Sequence, residues 1–559
     1  MIYLKWDRPA SCCSLGHSFK EGTVADQEAM TGEEYLESRR ETHMRRDLSW
    51  IGAFFLAAGV PALVLFSMGG ISALTGPVAV LVWTISVLIG FVDAFVYAEM
   101  AGLHPKKTGG VAVHGATAWI RYSKIVAPVS LWCNFLAWTP VLAIGGGLGA
   151  GYLLSIFYGP TARINTWQVT LVRLGFLKAG LTLRINATFI IGAAIVLLVW
   201  MVQNRGILGT ARFQTILTVA TLTPLLIVTV IPLITGDVVA KNFSPFVPIN
   251  GHWDVTGWTF FLGALFIAGW STYGFETTVC YMSEFKDPGR DMVRAILSAG
   301  GFCILAFFLV PFVFQGVLGT KTMLGPGINS GAGVGNALAG MLHGGAFVTK
   351  LFVVLLFFTL ILAIMTAMSG SSRTLFQGGQ DGWLPKYLSH LNKHKVPTYA
   401  MWTNLIVNLV LLLMSNYIFV LAVSNCNYMI FNFLNLNAGW IHRVDNAEVP
   451  RPYKAPKPLF IAGVCMAYIN VFLLGAGANV WGKGTLYVGW GSALIAVPVF
   501  LYRHYVTDKG QFPQDMFSDL IPEGKTELGP TKAGVLPYMA LAGGLVSMSL
   551  GYLIFWVWK

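Results

Sequence analysis

Apolar residues in this chain run in blocks of about twenty, separated by short polar stretches, and a block of that length is what an α-helix needs to cross the hydrocarbon of a bilayer. Thirteen such segments lie at 48–71, 77–101, 125–157, 185–203, 213–235, 259–283, 295–318, 347–371, 398–415, 417–441, 458–481, 485–503 and 535–557, numbered here segments 1 to 13. Segment 3 is longer than one perpendicular crossing, which predicts a strong tilt. A transmembrane barrel would instead show alternating stretches of about ten residues. The pattern predicts an all-α polytopic membrane protein with 12 to 13 spans.

Two segments are interrupted. Segment 1 carries Gly59-Val60-Pro61 about a dozen residues in, and proline removes a backbone donor and clashes with the preceding turn. Segment 6 carries Trp270-Ser271-Thr272-Tyr273-Gly274-Phe275-Glu276 at a similar depth. In hydrocarbon each backbone polar group needs a partner and a buried charge is costly, so such a stretch predicts a helix that opens in mid-membrane. The two breaks lie five segments apart. That spacing fits a five-plus-five inverted-repeat core with a site between segments 1 and 6; the plainer alternative is two ordinary kinks. The resulting layout is a tail at 1–46, a first repeat at 47–235, an extracellular loop at 236–258 and a second repeat at 259–441. Segments 11 and 12 follow at 442–503, then a cytoplasmic loop at 504–534 and a last span at 535–559.

Of the 559 residues 55% are hydrophobic and 11% charged, too few charges to cover a soluble domain of this size. The net charge of +12 does not indicate a nucleic-acid partner, because the basic residues sit in short loops where topology explains them. If the N-terminus is cytoplasmic, 25 Lys and Arg fall on the cytoplasmic side and 9 on the other. This excess predicts an N-terminus inside; the location expected is the plasma membrane, with multiple passes. The tail has no apolar core, so no cleavable signal peptide is expected. Gly543, Gly544 and Gly551 at helix-packing positions favour a true thirteenth span. Cys133, Cys280, Cys303, Cys426 and Cys465 lie in apolar segments and Cys12 and Cys13 in the tail; none has zinc-ligand spacing, and they read as small buried apolar residues.

Three acids lie within or near the spans: Asp93, Glu99 and Glu276. An intramembrane carboxylate is a functional candidate by default. Glu276 sits beside the break, where it carries a proton or braces opened backbone. Glu99 lies near the cytoplasmic end of segment 2, where a gate or loop contact is the plain reading. Trp270, Tyr273 and Phe275 surround the break, although most membrane aromatics are packing or interfacial anchors. Thr366 and Ser369 in segment 8, with Ser271 and Thr272, supply hydroxyls; in lipid these usually bond their own helix. A sodium ion near Thr366 and Ser369 would need such oxygens together with free carbonyls from segment 1. No phosphate-binding loop, metal-protease motif, Cys/His cluster or nucleophile–base pair is readable, so an enzyme is not expected.

Four stretches together resemble the amino acid–polyamine–organocation superfamily of transporters. They are Val96-Tyr97-Ala98-Glu99-Met100 with Pro105 and Gly109-Gly110; the segment 6 motif followed by Ser283-Glu284-Phe285-Lys286-Asp287-Pro288-Gly289-Arg290; Ser372-Arg373-Thr374-Leu375-Phe376 with Asp381-Gly382-Trp383-Leu384-Pro385; and Val449-Pro450-Arg451-Pro452-Tyr453-Lys454. The resemblance covers about Asp47 to Phe500. It implies alternating access in a ten-helix core, with substrate held by Gly59, Val60, Pro61, Ala62, Leu63, Trp270, Ser271, Tyr273, Gly274 and Phe275. Trp270 falls where one branch of the family stacks an aromatic on substrate, and Glu276 where that branch has a proton-linked glutamate. Two departures stand out. Ala62-Leu63-Val64 occupies the family's Gly-Ser-Gly-type stretch, where Leu63 would crowd a carboxylate. Thr221 stands where many members carry a lysine in segment 5, which leaves room for sodium or moves coupling elsewhere.

The expected function is therefore a secondary active transporter for an amino acid or related amine. Glu276, Asp93, Glu99, Thr221, Thr366 and Ser369 are its coupling or gating candidates, and a proton or sodium ion its coupling ion, with no other cofactor. The partners expected are a small-molecule substrate and the lipid bilayer; the oligomeric state is open. The alternatives are a non-transporting receptor or subunit that keeps the fold, a channel, which would need a continuous polar stripe, and a membrane-embedded enzyme.

Overall fold

The computed structural model describes residues 46–159, 161–329, 331, 333–521 and 527–557. The predicted tail, with Cys12 and Cys13, lies outside the described residues apart from Arg46. All thirteen apolar segments are helical, because only a helix pairs its backbone groups within itself along the span. Among the described residues ten helices are long and apolar enough to cross a membrane, and the first, Trp50–Ala101, carries segments 1 and 2 in one run that reverses at Gly76–Val78. Segments 4 (Ala187–Gln203) and 9 (Thr398–Leu412) are shorter apolar helices. The fold class is the polytopic all-α one expected.

Three additions were not foreseen. A short helix, Val111–Trp119, is fully buried in the loop after segment 2. Strands β1 (Gln168–Arg173) and β2 (Thr182–Asn186) form an antiparallel hairpin between segments 3 and 4. Segment 3 spans Val126–Phe157 with an interruption at Thr139, where Pro140 cannot donate to the carbonyl of Leu136.

Segments 1 and 6 pack against each other and against segments 2, 7 and 8. A buried hydroxyl pair, Ser67 to Ser271 at 2.6 Å, ties 1 to 6. Segment 13 (Leu536–Val557) lies along segment 11 (Lys457–Trp481), where Ser547 donates to Tyr468 O at 2.8 Å. Cys133, Cys280, Cys303 and Cys426 are buried and unpaired as read, but Cys465 is exposed on segment 11. An apolar side chain on the outer face of a lipid-facing helix needs no burial in protein, which is why apolarity alone misplaced it.

The end of the bundle that carries the loop after segment 2 is tied by buried ion pairs. Arg373 of segment 8 (Gly345–Gln380) makes a two-pronged contact with Glu284, at 2.5 and 3.0 Å, and lies over the Tyr281 ring. Lys107 reaches Asp381 at 2.6 Å. Glu99 accepts from Arg443 at 2.8 and 2.5 Å, from Arg451 at 2.7 Å and from Ala455 N at 2.9 Å. At this glutamate the loop contact expected from the sequence takes the form of a clamp on the chain after segment 10.

Candidate functional site

Both breaks sit where the sequence placed them, but they are tightened rather than unwound. Segment 1 stops at Ala57, turns through Ala58 and Gly59, and continues as a 3₁₀ turn over Val60–Leu63 before the helix resumes at Val64. Segment 6 stops at Thr272 and continues over Gly274–Glu284 as 3₁₀ turns interrupted by non-helical backbone at Tyr281. A 3₁₀ turn keeps an i→i+3 bond, so it changes the direction of the chain without leaving a row of bare amides in an apolar interior. Val60, Pro61, Ala62, Leu63, Trp270, Ser271, Tyr273, Gly274, Phe275 and Glu276 are all buried.

The two break glycines are explained by close approach. A Cβ on Gly59 would lie 2.5 Å from both Leu362 O and Thr366 Oγ1, and one on Gly274 would lie 2.6 Å from the Trp138 ring. No larger residue fits either place without displacing backbone or an indole.

Segment 3 anchors segment 6 on both sides of Gly274. Pro140 leaves carbonyls of the preceding turn free, and segment 10 uses them: Ser424 donates to Leu136 O and Ala137 O, at 3.0 and 2.9 Å. The Trp270 indole N–H is shared between Ala137 O at 3.0 Å and Ser424 Oγ at 2.8 Å, and its ring lies 6.0 Å from that of Phe66. On the other side Glu276 Oε1 accepts from Trp138 Nε1 at 3.1 Å and from the Tyr428 hydroxyl at 3.0 Å. The interrupted turn of segment 3 is stabilised from segment 9, where Asn408 accepts from Ala143 N at 3.0 Å and donates to Thr139 Oγ1 at 2.7 Å.

Asp93 follows another route. Ser86, Gly90, Asp93 and Tyr97 share one face of segment 2 by helical spacing. Ser86 pairs with Thr272 at 2.7 Å, Gly90 lies against the Tyr273 ring, and Tyr97 donates to Asn432 at 2.7 Å. Asp93 between them is buried and faces the Asn470 amide of segment 11. Neither carboxyl oxygen of Asp93, neither amide atom of Asn470, nor the Tyr273 hydroxyl reaches hydrogen-bond geometry. The broken segment 6 thus stands between two buried carboxyl groups, Glu276 with donors and Asp93 without.

The expected cation position is built differently from the sequence reading. Thr366 Oγ1 donates to Leu56 O at 2.6 Å and accepts from Gly59 N at 3.3 Å, so segment 8 does meet the break in segment 1. The same two oxygens receive the side-chain amide of Gln214 from segment 5, at 3.3 Å to Leu56 O and 3.4 Å to Thr366 Oγ1. A neutral N–H donor stands there. Ser369 is occupied elsewhere, its hydroxyl and carbonyl oxygens accepting from Arg373 at 2.8 and 3.0 Å. Thr221 lies two turns further along segment 5, and its side chain is outside the described residues. Gln214 was not among the residues expected from the sequence; a glutamine inside an apolar helix is the signal that marks it.

The sequence model described as amino acid permease matches residues 48–497. The chain belongs to the amino acid permease family. Among curated proteins this permease is 25% identical to the branched-chain amino acid permease of Lactococcus lactis subsp. cremoris over 422 residues, 72% of this chain and 84% of the relative. It is 28% identical over 261 residues to the L-methionine/branched-chain amino acid exporter of Escherichia coli, 46% of this chain and 52% of the relative. It is 24% identical over 349 residues to the methylthioribose transporter of Bacillus subtilis, 61% of this chain and 69% of the relative. The permease is thus a multi-pass membrane protein of an amino acid transporter family rather than of an enzyme class.

Proposed function

We propose that this permease carries a neutral, apolar amino acid across the plasma membrane by alternating access at the paired breaks of segments 1 and 6. The observation that carries the reading is the pair of tightened turns, Val60–Leu63 and Gly274–Glu284, buried side by side with Glu276 held between Trp138 and Tyr428. Opening either turn would release backbone N–H groups for a substrate carboxylate and carbonyls for its ammonium. Asp93 and Glu276 are the buried acids nearest Gly274, and unlike Glu284 neither has a basic partner among the described residues. With both assigned to protons, they leave no carboxylate for a second positive charge on the substrate, and the branched-chain and methionine specificities named for two relatives fit an apolar side chain.

Coupling is assigned to a proton at Glu276, with Asp93 as the second acid of the path, and not to sodium. The Gln214 amide supports this assignment, because it supplies donors to the Leu56 and Thr366 oxygens that a cation would need. The N-terminus is proposed to be cytoplasmic. Uptake of L-leucine and L-methionine into proteoliposomes, with and without sodium and with an imposed pH gradient, tests the reading. The expected result is uptake driven by the pH gradient and indifferent to sodium. Glu276→Gln should remove the response to the gradient. An unchanged rate and pH profile in Glu276→Gln would refute the assignment, and absence of uptake of any amino acid in a full panel would refute transport itself.

A further inference from the structure

A cavity of about 410 Å³ opens away from the breaks, between segments 3, 4, 9 and 10 on the face that carries the hairpin. Its inner wall is apolar, formed by Ile144, Gly147 and Leu148 of segment 3 against Leu412 of segment 9. Its rim is polar and contains Arg184, Asn186, Ser415 and Asn416.

The rim is held rigidly. Strand β2 is laced to the turn between segments 9 and 10: Arg184 N donates to Leu413 O at 2.8 Å, Ser415 N to Thr182 O at 2.9 Å, and Thr182 N to Ser415 Oγ at 2.9 Å. The half-buried Arg184 guanidinium donates to Gln168 Oε1 at 2.9 Å and to Ser415 O at 3.5 Å. Both acceptors are neutral. Among the described residues no carboxylate stands within ion-pair distance of Arg184, and none lines the cavity. Two helices also begin at this rim, segment 4 behind its cap Asn186 and segment 10 (Tyr417–Asp445) behind its cap Asn416, so their positive ends add to the same field.

The chemistry is therefore one-sided: a positive charge and two helix starts at the mouth, an apolar wall behind, and among the described lining residues no carboxylate to pair with an ammonium. The volume lies within the range of small-molecule sites, roughly 300–1,000 Å³. We propose that this cavity is a second binding site, separate from the paired breaks, for a monocarboxylate with an apolar body. An amino group is not required for it. The carboxylate can come from a free acid in water or from a fatty acid in the bilayer, and both present the same head to Arg184.

The test uses the full chain in nanodiscs of zwitterionic lipid, with 4-methylvalerate as probe and its uncharged amide as control, followed by isothermal titration. Saturable binding of the acid is expected at up to tens of millimolar, with none of the amide, because the charge-assisted bonds to the guanidinium supply most of the preference. Arg184→Gln should weaken binding about tenfold or more. Gly147→Leu leaves Arg184 intact and fills the cavity, since the first added carbon at Gly147 meets only Leu412 and Thr188, at 3.5 and 3.9 Å; it should abolish binding. If either variant loses its wild-type melting temperature without probe, the other decides. Palmitate doped into the nanodisc separates the sources: competition with the probe assigns the site to bilayer acids, and no competition to soluble ones. The proposal is overturned if the acid shows no saturable binding, if the amide binds equally, or if a correctly folded variant binds as wild type.

Discussion

Acidification should loosen the loop helix Val111–Trp119, and His114 supplies the magnitude. His114 is fully buried, its ring stacks on that of His104 with centroids 4.8 Å apart, and neither ring nitrogen has a partner. Burial, followed by the charges of Lys107 and His442, pushes its pKa down to about 3 from an ordinary 6.5. The unfolded chain therefore binds more protons than the folded one between pH 6.5 and 3, so stability falls as the pH drops through that window and is unaffected above it. At about 1.4 kcal/mol per pH unit, lowering the pH to 5 costs about 2 kcal/mol through this residue alone. His104, held well below its ordinary value by burial, His114 and His442, adds loss of the same sign. The perturbation is His114→Leu, which removes the titrating group without breaking a hydrogen bond of its ring. Melting followed by intrinsic fluorescence at pH 7 and 5 should show a drop of a few degrees in the wild type that shrinks in the variant. An equal drop in both proteins would refute the argument.

Two further outcomes follow from the packing. Gly59→Ala should cost about 1–3 kcal/mol and abolish transport, because the new methyl meets backbone of segment 8; a thermal shift in detergent with parallel uptake reads both. Glu284→Gln should cost about 3–5 kcal/mol by leaving Arg373 buried without its counter-charge, while the double variant with Arg373→Met should recover most of that loss. Melting temperatures of the two proteins compare them directly.

The spans were readable because hydrocarbon demands helix-length apolar runs, and all thirteen are helical. The breaks were readable because Gly59-Val60-Pro61 and Tyr273-Gly274-Phe275-Glu276 defy that demand. Their form was not: the sequence suggested open chain, whereas the apolar surroundings favour tightened 3₁₀ turns at both breaks. The partners of Glu276 and Trp270 were beyond reach, since Trp138 and Tyr428 lie 138 and 152 residues from Glu276, and Ser424 lies 154 residues from Trp270. Pro140 was visible inside segment 3, but what its freed carbonyls would hold depends on segments 6 and 10 arriving beside it. The hairpin was also partly visible in the β-branched positions of Gln168–Arg173 and Thr182–Asn186, but its strands are far shorter than the twenty-residue blocks that mark the spans.

The interruption of segment 3 has a mechanical meaning for segment 6. Trp270 and Glu276 flank Gly274 like two pins on either side of a pivot, and both pins are seated in one short stretch, Ala137 and Trp138. On the proposed alternating-access reading, a swing about Gly274 of the half that carries Trp270 would pull the indole from its carbonyl while the carboxylate stays seated, and a swing of the other half would do the reverse. Each such swing would draw one pin and leave the other, so one of the two bonds to segment 3 would hold segment 6 throughout.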